Sequence, residues 1–157
     1  INIKKVSQSI KVPLIKRKID TLSKEFQRLF KRKPKIGVLG LNPHNSEMSK
    51  NSEEVLKIIP TLKTLKKRGL KIFGPLVADT IFIKDHKEYD VIVGMYHDQV
   101  LAPFKTLYHF DAINITLGLK YLRISPDHGP ARNLIRKNKA NYKSLYECIK
   151  FMNNFTK

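Results

Sequence analysis

Short apolar runs that end in polar loops, alternating with amphipathic stretches, constrain this chain more than any other feature. Residues 36–41, 70–73 and 90–95 are strand-length runs, while 20–32, 52–69 and 142–155 carry apolar residues at helical spacing, as in Leu22, Phe26, Leu29 and Phe30. That alternation predicts an α/β fold: a layered sheet with flanking helices. In open α/β sheets, ligands bind in the crevice outside the carboxyl ends of the strands. Two runs lead there into a histidine. His44 follows 36–41, and His97 follows 90–95 with Asp98 directly after it.

Local signals add detail. Residues 1–19 are expected as a short strand and a loop, with Pro13 as a breaker, and Asp20 or Thr21 caps a helix running to about Arg32. Asn42-Pro43-His44-Asn45-Ser46 has loop composition. Ser52 with Glu53 and Glu54 starts a helix, placing acids where the helix dipole favours them. Pro60 kinks it or begins a second helix, and Gly69 caps its end. Gly74-Pro75 is expected as a turn and Ala78-Asp79-Thr80 as a short helical turn. A helix over 99–106 is limited by Pro103. Residues 112–117 and 121–124 are further strands, 125–130 a loop leading into a helix, and 142–155 a closing helix. The whole of 1–157 is expected as one α/β unit.

At 157 residues the chain fits one domain with a normal core, and its 41% hydrophobic content is ordinary. No apolar run approaches the roughly 18 residues of a membrane helix. A lone Cys148 excludes an internal disulfide, and without a signal-peptide pattern a cytoplasmic location is expected. The net charge of +18 would suit a polyanion partner. The basic residues spread from Lys4 to Lys157, however, and neither zinc-finger spacing nor a Gly-rich RNA-binding signature accompanies them. Abundant Lys, Asn and Ile favour drift in base composition instead. Neither nucleic acid nor membrane is expected as a partner, and a phosphate-bearing small ligand is compatible.

A single histidine at a strand end is more often structural than a ligand. Two at equivalent ends, with Asp79 after another strand, bring a metal or acid/base centre into contention, because imidazole with carboxylate suits Zn²⁺ or another first-row divalent ion. Lys105, Asn114 and Arg123 suit a substrate bearing carboxylate or phosphate. In so basic a chain, a given Lys or Arg is more often simply solvated. Asn114 differs, since it lies between Ile113 and Ile115 and a polar group buried there needs a partner. Asp127-His128-Gly129-Pro130-Ala131 is either a turn with a helix cap or a loop that holds a nucleotide. There is no Gly-x-Gly-x-x-Gly fingerprint. Cys148 reads as core packing.

Five segments together resemble the 4-hydroxythreonine-4-phosphate dehydrogenase family of pyridoxal phosphate biosynthesis. They are Gly37-Val38-Leu39-Gly40-Leu41-Asn42-Pro43-His44, Gly74-Pro75-Leu76-Val77-Ala78-Asp79-Thr80, Met95-Tyr96-His97-Asp98-Gln99, Asn114-Ile115-Thr116-Leu117-Gly118-Leu119 and Ser125-Pro126-Asp127-His128-Gly129. They occur in the family's order and nearly its spacing. The resemblance implies an isocitrate/isopropylmalate dehydrogenase-like fold and a homodimer with a site shared between subunits. It implies NAD-dependent oxidation of a phosphorylated secondary alcohol, followed by loss of CO₂. The implied metal ligands are His44 and His97, for Zn or alternatively Mg, Mn or Co. Lys105, Asn114 and Arg123 are the implied substrate contacts, and Asp127, His128 and Gly129 match an adenosine-binding stretch. Asp79 or Asp98 would take the proton, a choice left open.

The departures are specific. The resemblance covers the C-terminal half of the family pattern, so a fragment or truncated copy is expected. Lys11 stands where a third metal histidine precedes a hydrophobic-Pro-Leu stretch, and an ammonium group cannot coordinate a cation. The stretch between Lys11 and His44 is shorter than in the family. Pro130 and Arg132 replace Thr or Ser and an acidic residue. The alternatives are a dehydrogenase of related four-carbon phosphorylated acids, such as phosphoerythronate or phosphothreonate, an inactive remnant, and a basic nucleic-acid-binding module.

Overall fold

The computed structural model describes residues 1–83 and 85–155. They group into two compact units, 1–103 and 104–157, where the sequence suggests one. Each unit has its own sheet: three strands in the first and two in the second.

In the first unit, β1 (Lys35–Leu39) is the central strand, flanked by β2 (Lys71–Leu76) and β3 (Val91–Val93), both parallel to it. Ile36, Val38 and Leu39 of β1 are fully buried, as an unbroken apolar run in a parallel sheet requires. The helices are α1 (Val6–Ser9), α2 (Val12–Phe30), α3 (Ile59–Lys67) and α4 (Ala78–Ile81). Ile15 and Ile19 of α2, with Leu62 and Leu65 of α3, join Ile36, Val38, Ile58 and Ile72 in one core. Each such side chain contributes roughly 1.5–3 kcal/mol by leaving water. At the rim, Asp90 accepts two hydrogen bonds from the Arg32 guanidinium (2.6 and 2.7 Å) and one from the Lys35 amide (2.8 Å). This ties the end of α2 to the start of β3.

Three local expectations are overturned. Residues 1–19 contain no strand: a 3-10 turn (Ile3–Lys5) and α1 precede α2, which begins eight residues before the expected cap at Asp20. Pro13 lies in the first turn of α2, where its missing N–H has no intrahelical acceptor to lose. Gly74-Pro75 is not a turn but part of β2. β2 is an edge strand, one of the places in a sheet where proline is tolerated. The expected helix after residues 125–130 is a 3-10 turn only (Arg132–Leu134). Pro60 does mark a new helix: a π-helical turn (Glu54–Ile58) passes into α3 one residue before it.

α5 (His97–Tyr108) carries Pro103 within it, at the division between the units. In the second unit, β4 (Ile113–Thr116) and β5 (Arg123–Pro126) form an antiparallel pair, with Asn114 opposite Ser125. α6 (Lys143–Asn153) packs on both strands, burying Ser144 and Cys148. Cys148 is core packing, as read from the sequence, and burial pushes its thiol pKa up.

Candidate active site at the carboxyl ends of the parallel strands

Because β2, β1 and β3 are neighbours and parallel, their carboxyl ends lie side by side. β2 leads into α4 and Asp79, β1 into the turn bearing His44, and β3 into α5, which begins at His97. One sheet edge therefore gathers Asp79, His44, His97 and Asp98. A pocket of about 200 Å³ opens there, lined by Leu41, Asn42, His44, Asp79, Tyr96 and Gln99 among others. His44 Nε2 lies 3.9 Å from Asp79 Oδ2, and His97 Nδ1 lies 2.6 Å from Asp98 Oδ1. All four side chains are exposed, the histidines to 70% and 77%, which excludes the simple core-packing role and leaves them reachable by a ligand.

The turn after β1 is unusual. His44 to Met48 all have positive φ, between 47° and 57°, although none is glycine. Buried Glu54 anchors its start: one carboxylate oxygen accepts from the Leu41 and Asn42 amides (2.7 and 2.8 Å), the other from the Asn42 side chain (3.0 Å). Burial opposes ionisation of Glu54, but hydrogen bonds from Asn42, its own amide and Leu41 outweigh it and hold the carboxyl below its usual range. Glu53 is lowered too, by the Ser7 hydroxyl and then by the Asn42 side chain. Asn45, buried in the same turn, donates to the Pro75 carbonyl (3.1 Å), and its Oδ1 lies so near Gly40 that a Cβ there would stand 2.0 Å away. Gln99 joins the strand ends, accepting from the Met95 amide (2.8 Å) and donating to the Gly40 carbonyl (2.7 Å).

Glu54, Asn45 and Gln99 were not singled out from sequence. Glu54 reads there as an acid in a first helical turn, and only the fold reveals its burial. Gln99 lay inside a quoted motif, but nothing in its spacing distinguishes it.

In the second unit, Lys105 is paired with Asp127, its Nζ 2.9 Å from Oδ2 and also donating to the Asp127 carbonyl. The Asp127 amide donates to Ser144 Oγ (2.9 Å). Arg123 donates to Thr116 Oγ1 (2.8 Å). Asn114 corrects the sequence reading: its side chain is exposed on β4 and does not need a buried partner. His128 Nδ1 lies 3.0 Å from the Gly129 carbonyl oxygen, and among the described residues nothing stands within 4 Å of a Cβ built on Gly129. Of these residues the structure brings Lys105 and Asp127 together, and Asp127, His128 and Gly129 follow one another in the loop after β5.

The donor types at the sheet edge fit a divalent cation, but their number falls short. Among the described residues no group of three or more His, Cys, Asp or Glu side chains converges for a metal. Lys11 is an exposed residue at the N-cap position of α2, and its side chain makes no capping hydrogen bond. The open 127–129 loop, with its aspartate held by Lys105, does not by itself fit a dinucleotide.

A parallel sheet with flanking helices and histidine–carboxylate pairs at its carboxyl edge defines an α/β fold with a candidate ligand site at that edge. The comparisons narrow this. The family model described as "Pyridoxal phosphate biosynthetic protein PdxA" matches residues 1–152, and the chain belongs to that family. It is 44% identical over 153 residues to a 4-hydroxythreonine-4-phosphate dehydrogenase of Aquifex aeolicus, covering 97% of this chain and 48% of the relative. It is 39% identical over 146 residues to a D-threonate 4-phosphate dehydrogenase of Cupriavidus necator, covering 91% and 44%. The crystal structure of a 4-hydroxythreonine-4-phosphate dehydrogenase from Klebsiella pneumoniae superposes with a TM-score of 0.82 at 32% identity, over 97% of this chain and 47% of that one. The chain thus spans about half the length of these relatives. No helix among the described residues is long and apolar enough to cross a membrane.

Proposed function

We propose that this chain supplies the C-terminal half of a 4-hydroxythreonine-4-phosphate dehydrogenase: NAD-dependent, metal-assisted oxidation of 4-phosphohydroxy-L-threonine with decarboxylation. The placement of Asp79, His44 and His97 after neighbouring parallel strands, along one edge of the sheet, carries this reading. His44 and His97 are the proposed ligands of a divalent ion, zinc being the first choice by donor type. When bound, such an ion supplies Lewis-acid polarisation of the substrate oxygens. Asp98, at 2.6 Å from His97 Nδ1, would orient that ring and leave its other nitrogen to serve as the ligand. Asp79 faces Nε2 of His44 and is placed to accept a proton from a group bound between them, while Asp98 is the alternative acceptor. Lys105, Asn114 and Arg123 are the proposed contacts for the anionic ends of the substrate, with Lys105 exchanging Asp127 for phosphate or carboxylate. Asp127, His128 and Gly129 are the proposed contacts for NAD, and no step is assigned to them. Two donors do not complete a metal sphere, so water or substrate oxygens would fill the remaining positions, while further substrate contacts come from polypeptide equivalent to the other half of the family, in a homodimer with a shared cytoplasmic site.

The test is complementation. The 157-residue chain, mixed with the N-terminal half of the Aquifex relative, should reduce NAD⁺ with 4-phosphohydroxythreonine, and His97→Ala should abolish this. The chain alone should show negligible turnover. Robust turnover by the chain alone, or none in the mixture while the intact relative is active, overturns the proposal. Similarity to the D-threonate 4-phosphate enzyme favours a second reading, which faster turnover of D-threonate 4-phosphate would establish.

A further inference from the structure

Five consecutive non-glycine residues in the left-handed region are costly, at roughly 1–2 kcal/mol each, and persist only where their surroundings over-determine them. At the entry to that turn, the over-determination comes from one side chain. Glu54 is fully buried and spends both oxygens on the two residues that precede Pro43-His44. Gly40, next in the chain, leaves no slack: a Cβ there would stand 3.2 Å from Glu54 Oε1 and 2.0 Å from Asn45 Oδ1. Asn45 then ties the far side of His44 to Pro75, four residues before Asp79.

We propose that Glu54 is a positioning residue for His44, its buried carboxylate fixing the turn from which the imidazole faces Asp79. The inference rests on the proposed role of His44 as a metal ligand, and it concerns a residue that touches neither metal nor substrate. Carboxylate chemistry is required, because three donors converge on Glu54 and an amide nitrogen in place of either oxygen would meet an N–H group. Aspartate is one methylene too short to reach from the same helical position.

The full 157-residue chain tests this, using Glu54→Gln with Ile19→Val as a core change of comparable or smaller cost. Backbone and His44 side-chain resonances are followed by NMR, and Zn²⁺ binding by calorimetry. In Glu54→Gln the resonances of residues 42–48 should shift toward right-handed or averaged values while those of β1 to β3 stay in place. Zn²⁺ affinity should fall about tenfold or more, as for other residues that orient a metal ligand, and Ile19→Val should keep wild-type affinity. Wild-type loop resonances in Glu54→Gln overturn the proposal, as does an equal loss of Zn²⁺ affinity in Ile19→Val. If Glu54→Gln does not fold, Asn42→Ala removes the Asn42 side-chain amide donor and must disturb the same residues. If the wild-type chain takes up no Zn²⁺, the metal role of His44 falls, and the loop resonances alone decide for or against Glu54.

Discussion

The two units of this chain bury their apolar residues to very different degrees. In residues 1–103, ten side chains form one buried cluster around β1. In residues 104–157, Ala112 and Cys148 are the buried hydrophobic residues, while Tyr142, Leu145, Tyr146, Ile149 and Met152 form an exposed stripe along and just before α6. A two-stranded sheet is marginal without a helix packed on it, so the β4–β5 pair leans on α6. The first unit has a buried core beneath its strand ends, whereas the second carries Lys105, Arg123 and Asp127 on a scaffold with little core beneath them.

The largest expected effect lies in the first unit. Leu65→Ala empties a fully buried position against β2 and should cost about 2–5 kcal/mol in chemical denaturation. A loss under 1 kcal/mol would show that the core of residues 1–103 is no tighter than the rest.

The second unit depends instead on a polar pin. Ser144, 1% exposed, donates to the Ala112 carbonyl (2.5 Å) and accepts from the Asp127 amide. Ser144→Ala leaves both groups without that partner and should cost about 1–3 kcal/mol. Hydrogen exchange should accelerate at residues 112–127 and leave β1 to β3 unchanged. Equal acceleration in both sheets would mean that the two units unfold as one.

An acid titration separates the units further. The Arg32 guanidinium and the Lys35 amide lower the Asp90 pKa from 3.8 to about 2. Since the folded value lies below the unfolded one, the stabilisation is complete above about pH 4 and is lost as pH falls toward 2. Arg32 is 58% exposed, so solvent screening leaves only a small deficit when the pair is lost. Asp90→Asn should show that deficit at pH 7 and none near pH 2. A deficit that persists at pH 2 would assign the loss to packing.

Much of this architecture was legible in the chain. Residues 36–41 and 90–95 became β1 and β3 because long apolar runs bury in a parallel sheet, and His44 and His97 fell at its carboxyl edge as the alternation implied. The failures share a cause. Composition alone makes Pro13 a breaker and Gly74-Pro75 a turn, yet proline is harmless in a first helical turn and tolerated on an edge strand, and only tertiary placement distinguishes those cases. Asn114 was expected to be buried because its neighbours are isoleucines, but β4 belongs to a two-stranded sheet with an open face. Glu54 was invisible as a buried carboxylate because its partners are backbone amides twelve and thirteen residues away.

The smallest expected effect sharpens the contrast most. Ile149 is 52% exposed on α6, so Ile149→Lys removes little buried area and should change stability by less than about 0.5 kcal/mol. Denaturation midpoints of the variant and the parent chain measure this directly. The same substitution, made at the equivalent position of the full-length Aquifex relative, should be costly if the apolar stripe is covered there by the half of the family that this chain does not span. Neutrality in both proteins would leave the stripe as ordinary exposed surface. Neutrality here and loss there would locate, on one helix face, the difference between the self-sufficient first unit and a second unit that depends on its surroundings.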